Sequence, residues 1–171
     1  MTEENPMKKI RLEKVTVNMG VGQSGDELKK AETIMERVTG MKPVETMSKT
    51  KNPTWDLREG IPIGAKVTLR GKKASEFLRN ALVAKDGRIG AKSFDAHGGF
   101  GFGIREYIDL PGAKYDPKIG VRGMDVLVAL ERRGYRVKRR KICRNKIKKS
   151  HLVSKAEAIE FAKSELGIEV E

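Results

Sequence analysis

Residues 13–38 read EKVTVNMGVGQSGDELKKAETIMERV, a strand that breaks at glycines and resumes as a helix, and the remainder of the chain must pack against that unit. Val15, Val17 and Met19 alternate with Lys14, Thr16 and Asn18, the two-residue period of a strand buried on one face. Ser24 stands three residues before Glu27, which predicts a capping box, and Leu28, Ala31, Met35 and Val38 follow at helical spacing. One strand face and one helix stripe therefore need common cover.

Gly20, Gly22 and Gly25 also spell G-x-G-x-x-G, and Glu45 falls about where a ribose-binding acid would stand after a dinucleotide turn. A doubly wound sheet requires strand and helix to keep alternating, whereas the next two strand-like runs, 43–47 and 63–70, have no helical pattern between them. Two other readings stay open. Either the glycines simply turn strand into helix, or they remove side chains where an RNA backbone approaches closely.

Further along, Gly40 predicts a helix C-cap and Pro43 blocks resumption of that helix. Ile63, Ala65, Val67 and Leu69 alternate with Gly64, Lys66, Thr68 and Arg70, the plainest strand in the chain. Ala74, Phe77, Leu78, Ala81 and Leu82 form a second helix stripe. The run GGFGFG reads either as a glycine-aromatic strand on which bases stack through Phe100 and Phe102, or as a flexible loop anchored to the core by those rings. Ile104, Ile108 and Leu110 suggest one further strand, and Met124, Val126, Val128 and Leu130 another. Ser154 with Glu157 predicts a second capping box, opening a helix through Ile159, Ala162 and Leu166 that Gly167 closes. The expected class is α+β in two layers: a largely antiparallel sheet of about five strands, helices on one face, a basic arm and a C-terminal helix. A single domain is expected, divided into a core at 1–131, an arm at 132–150 and a terminal helix at 151–171, with residues 1–10 a loose lead-in.

Charge narrows the partner. The chain of 171 residues carries a formal +13, which favours a polyanion. Of its 36 basic residues, eleven lie within 132–149, where there is no acid: Arg132, Arg133, Arg136, Lys138, Arg139, Arg140, Lys141, Arg144, Lys146, Lys148 and Lys149. Without them 25 bases face 23 acids, so the core is nearly neutral and polyanion binding is local. The block reads as an arm that orders on its partner, or as a solvated charge run or localisation signal. In the loop 48–62, Lys49, Lys51 and Arg58 flank Trp55, either a stacking platform for unpaired nucleotides or a plug folded back on the core edge. Cys143 is the only cysteine, which excludes an internal disulfide; with isolated His97 and His151 it supports neither catalysis nor a metal site. No long apolar run or signal peptide is present, so no membrane is expected; neither a small-molecule substrate nor a cofactor is expected.

Four stretches together resemble the universal large-subunit ribosomal protein five family: RLEKVTVNMGVG at 11–22, GIPIGAKVTLRG at 60–71, SFDAHGGFGFGIRE at 93–106 and VRGMDV at 121–126. The basic block and capped last helix resemble the archaeal and eukaryotic branch. The resemblance implies a non-enzymatic, cytoplasmic ribosomal protein that binds 5S rRNA in the central protuberance, contacts peptidyl-site tRNA and large-subunit rRNA, and bridges to a small-subunit head protein. By motif it assigns to the RNA face Asn18, the turn Met19, Gly20 and Gly22, the strand residues Thr68 and Arg70, and Lys42 in G-x-K-P. Met41 departs from the family there, standing where many bacterial members have glutamine. Lys14 and Lys66 join this set if the two strands lie side by side. The loop with Lys49, Lys51, Trp55 and Arg58 corresponds to the tRNA-contacting loop, although only Arg58 and Gly60 match the bacterial sequence.

Overall fold

A computed structural model describes residues 5–170. Part of the expected lead-in thus lies outside the described residues; the rest is a turn closed by the Lys8 N–H on the Asn5 carbonyl at 2.8 Å. Strand β1 (Ile10–Gly20) follows, with Val15, Val17 and Met19 almost wholly buried as their alternation requires. It lies at the centre of an antiparallel sheet ordered β2-β3-β1-β6-β5, where β2 is Val44–Met47, β3 Pro62–Leu69, β5 Phe100–Ile104 and β6 Met124–Arg132. A two-residue parallel pair, β4 (Arg88–Ile89) with β7 (Glu169–Val170), ties the end of the chain to the middle.

Helices α1 (Asp26–Thr39) and α2 (Lys72–Val83) cover one sheet face. Leu28, Ala31, Ile34 and Met35 of α1 and Ala74, Phe77, Leu78, Ala81 and Leu82 of α2 join the inward residues of β1, β3 and β6 in one apolar cluster. A short helix α3 (Arg136–Arg139) and the terminal helix α4 (Lys155–Leu166) complete the chain, and Ala158 and Ala162 of α4 enter the same cluster. The two-layer α+β expectation is met.

Four local expectations are corrected. Helix α1 is capped by Gly25 at φ 103°, with no side-chain cap, because Glu27 turns instead to Lys30 at 2.7 Å and to Arg122. The GGFGFG run is a strand rather than a base-stacking surface or a flexible loop, although its rings do anchor it: β5 buries Phe100 and Phe102 in the core, and Phe94 stacks on Phe100 with centroids 4.9 Å apart. Ile108 and Leu110 belong to no strand; a 3-10 turn at Tyr107–Asp109 holds Leu110 in the core. The core extends past residue 131, since Arg132 is the last residue of β6 and is buried. The Ser154–Glu157 capping box of α4 is present in both directions, and Gly167 closes the helix in the left-handed region.

Candidate nucleic-acid interface

The second face of the sheet is not the one on which α1 and α2 pack, and Arg139 of α3 meets it at its Glu13–Glu131 end; strand register fixes which side chains it presents. Asn18 pairs with Lys66 on one side and Asp125 on the other, Lys66 with Val44, and Asp125 with Gly103, so these five form one row across all five strands. The next row is Thr68, Thr16, Leu127 and Gly101. Lys66, Thr68 and Arg70 are exposed; Lys14, Thr16 and Asn18 are half-buried beside them. The structure thereby brings Lys14, Asn18, Lys66, Thr68 and Arg70 onto one surface. Asp125 is exposed in the middle of this row, with no cation in salt-bridge range among the described residues.

Gly20 ends β1 with nothing within 4 Å of where a Cβ would stand, and Gly22 turns the chain at φ +78°. The N–H groups of Val21 and Gly22 donate to the Ile63 carbonyl at 3.0 and 2.9 Å, so these two amides of the turn are used internally. With an antiparallel sheet and Asp26 and Glu27 in the first turn of α1, the dinucleotide reading is overturned. The Met19 side chain lies in the core, so Met19 belongs to this turn through its backbone alone. Lys42 is exposed between α1 and β2, at the sheet margin.

The loop from Ser48 to Gly60 supports itself. Asn52 and Leu57 exchange backbone hydrogen bonds at 2.9 and 3.0 Å, and the Asn52 side chain accepts from the Thr54 N–H at 3.1 Å. At the tip Trp55 is 70% exposed, which overturns the core-plug alternative, and Lys49, Lys51 and Arg58 are exposed in the same loop.

The basic block is more structured than an arm that waits for its partner. Tyr135 is buried at its root, its hydroxyl meeting the Val153 N–H at 3.3 Å and the His151 carbonyl at 3.4 Å, while His151 Nε2 lies 2.9 Å from the Arg133 carbonyl. Arg132 points to the core side and pairs with Glu157 at 2.6 Å, so it contributes nothing to the arm's surface. The Ser154 N–H and then the Arg132 guanidinium hold the Glu157 carboxyl below its ordinary range. Arg139 sits between Glu13 and Glu131 at 2.8 and 2.7 Å. The other nine basic residues of the block have no salt bridge among the described residues.

Sequence reasoning missed this acidic anchor. Strand β1 is bulged at Glu13: Leu12 faces Leu130 and Lys14 faces Ala129, leaving Glu13 as the extra residue on the uncovered side. The signal was available, since Leu12 precedes Val15 by three residues where strict alternation would put two.

Among the described residues no group of three or more His, Cys, Asp or Glu could hold a metal ion, and no helix is long and apolar enough to cross a membrane. A basic α+β protein with one polar sheet face turned away from its helices belongs to the class of chains suited to hold a polyanion. Comparison with known sequences makes this specific. The family described as ribosomal protein L5 matches residues 5–58, and the C-terminal part of the same ribosomal family matches residues 62–161. A large ribosomal subunit protein uL5 of Methanococcus aeolicus is 52% identical over 99% of this chain and 95% of its own length. The protein of the same name from Nanoarchaeum equitans is 52% identical over 98% of this chain and 99% of its own. The chain belongs to the ribosomal protein L5 family, of the archaeal type.

Proposed function

We propose that this protein is a structural constituent of the large ribosomal subunit that binds 5S rRNA through its uncovered sheet face and helps to attach it in the central protuberance. The observation that carries the reading is the single polar surface formed by Asn18, Lys66, Thr68 and Arg70, on the sheet face opposite the α1 and α2 packing. Lys14, Lys66 and Arg70 neutralise phosphates, while Asn18 and the threonines hydrogen-bond sugars, phosphates or base edges. Asp125 would repel a phosphate, so the RNA must meet it with a donor such as a base amine or a 2′-hydroxyl. Selectivity then comes from fit to a folded RNA, because the A-form major groove is too narrow for side chains to read.

The exposed Trp55 tip, with Lys49, Lys51 and Arg58 exposed in the same loop, is suited to stack on and neutralise a second nucleic acid, and we assign it to peptidyl-site tRNA. A bridge to a protein of the small-subunit head and a cytoplasmic place on the ribosome complete the reading. In a filter-binding titration, Arg70→Ala and Asn18→Ala should each weaken 5S rRNA binding by about 1 to 3 kcal/mol without altering the fold. Unchanged affinity would remove those residues from the site; equal affinity for an unrelated RNA of the same length would reduce the protein to a generic binder.

A further inference from the structure

The root of the basic block carries a feature that an RNA-binding arm does not obviously need. Two carboxylates, Glu13 and Glu131, have side chains only 12% and 8% exposed; Glu131 accepts a hydrogen bond from the Nη2 of Arg139 at 2.7 Å, and Glu13 is ion-paired with the same nitrogen at 2.8 Å. Glu131 also receives Arg11 at 2.7 Å, and Glu13 receives Arg70 at 3.5 Å and Lys14 at 3.9 Å. Four cations thus surround two acids where the sheet face meets the arm, leaving a net positive cluster with guanidinium donors unspent. The bulge delivers Glu13 to this point, and the Glu131–Arg11 register delivers the other acid beside it.

Arg139 is also one wall of a hollow of about 1030 Å³ between α3 and the segment that returns past it. Lys138, Arg144 and Lys146 supply further cations, and Ile147 and Leu152 line the rest. The hollow is held from within by the Asn145 N–H on the Val137 carbonyl at 3.2 Å and by Arg140 Nε on the Cys143 carbonyl at 2.7 Å. Its connection to the sheet through side-chain charge is Arg139.

We infer that Glu13 and Glu131 are positioning residues: they latch Arg139 to the sheet and so hold the arm's hollow as a preformed cleft for an RNA phosphodiester backbone, continuous with the sheet face. This rests on the RNA reading above. Like charges packed as densely as residues 136–149 repel one another, and a free arm would have to be collected and ordered at the moment of binding. The two acids offset that repulsion locally and fix the cleft before RNA arrives.

The expected outcome is unusual, because removing acids from a protein that binds a polyanion should ordinarily tighten the complex. The variant Glu13→Gln with Glu131→Gln adds two to the formal charge of +13. We expect it to bind a 5S rRNA transcript about tenfold more weakly at about 0.1 M salt, with a salt slope shallower by about one to two, as pre-placed phosphate contacts are lost. In the free full-length chain, brief trypsin treatment should cut within residues 140–149 about fivefold faster than in the unaltered protein, as the arm opens more often. Arg139→Gln, which opens the latch from its other side, should reproduce both effects; far-UV circular dichroism melts establish that each variant is folded. Cleavage at the unaltered rate in both folded variants would overturn the latch. Faster cleavage with equal or tighter RNA binding would overturn its role in forming the cleft. If deletion of residues 133–149 also left RNA affinity and salt slope unchanged, the RNA reading of the arm itself would fall, while the latch in the free chain would stand.

Discussion

Arg132 belongs by sequence to the basic block and by structure to the core, and replacing its partner measures the difference. Glu157→Ala removes two things: the return half of the α4 capping box, in which its carboxylate accepts from the Ser154 N–H at 3.0 Å, and the 2.6 Å pair with Arg132. Loss of a cap destabilises by about 1 kcal/mol. Breaking a fully buried ion pair costs about 3 to 5 kcal/mol. Here the Arg132 side chain is 9% exposed but that of Glu157 is 40%, so water reaches one partner and about 1 to 2 kcal/mol is the fitting discounted value. The total is about 2 to 3 kcal/mol, a fall in Tm of several degrees for a chain of this size. Arg132 Nε already lacks a hydrogen-bond partner, so nothing nearby takes up the stranded charge. Ser154→Ala removes the cap alone and should cost about 1 kcal/mol. Arg132→Met in the Glu157→Ala background should recover most of the remainder, because an apolar side chain replaces an unpaired cation. Urea unfolding followed by far-UV circular dichroism measures all four chains. The Glu157 pKa lies below its ordinary 4.5 in the folded state, so its contribution is complete above that value and is lost as pH falls through the folded pKa. Equal destabilisation by Glu157→Ala and Ser154→Ala at neutral pH would refute the reasoning, as would an RNA salt slope shallower in the double variant than in Glu157→Ala.

Three further outcomes are expected. Phe100→Ala should destabilise the fold by about 3 to 5 kcal/mol in urea titrations, the range for a buried aromatic, with RNA affinity per folded molecule retained. Trp55→Ala should leave Tm within about 1 °C, since the ring is 70% exposed, and in the unaltered chain the intrinsic fluorescence of this single tryptophan should quench on tRNA addition but not on 5S rRNA addition. Asp116 is held below its ordinary 3.8 by Arg37, then by the Lys118 N–H, so the tie between α1 and the 111–123 loop persists above that value and loosens as pH falls through the lower folded one; amide exchange in the loop should rise there first.

Strong periodicity made the framework legible. Val15 to Met19 and Ala65 to Leu69 alternate because one face of each strand is buried, and the α2 stripe is buried residue for residue. The polar sheet face followed directly, since a strand with one buried face must present its other side chains elsewhere. What could not be read were features set by tertiary contact. The β4–β7 pair is two residues long and joins segments some eighty residues apart, too short to leave a pattern. Ser24 has the composition of a cap, but Glu27 is drawn away by Lys30 and Arg122, and Arg122 is 95 residues distant. Phe100 and Phe102 match a stacking strand equally well whichever way they face, and only the pairing of β5 with β6 turns them inward. Arg132 and Arg139 look like their neighbours because Glu157 and Glu13, which pair with them, are remote in sequence and leave no local trace.

The bulge in β1 has a consequence for how the chain could be shortened. Leu12 faces inward, Lys14 outward and Val15 inward, so excising Glu13 would leave an unbroken pleat with every remaining side chain on its present side. The sheet carries one residue more than its own ladder requires, and a strand one residue shorter would zip up more regularly than the eleven that are there. Such a deletion should therefore keep the sheet's ladder intact while leaving Lys14, Arg70 and Arg139 without the carboxylate they share, so the extra residue serves the charge cluster rather than the pleat.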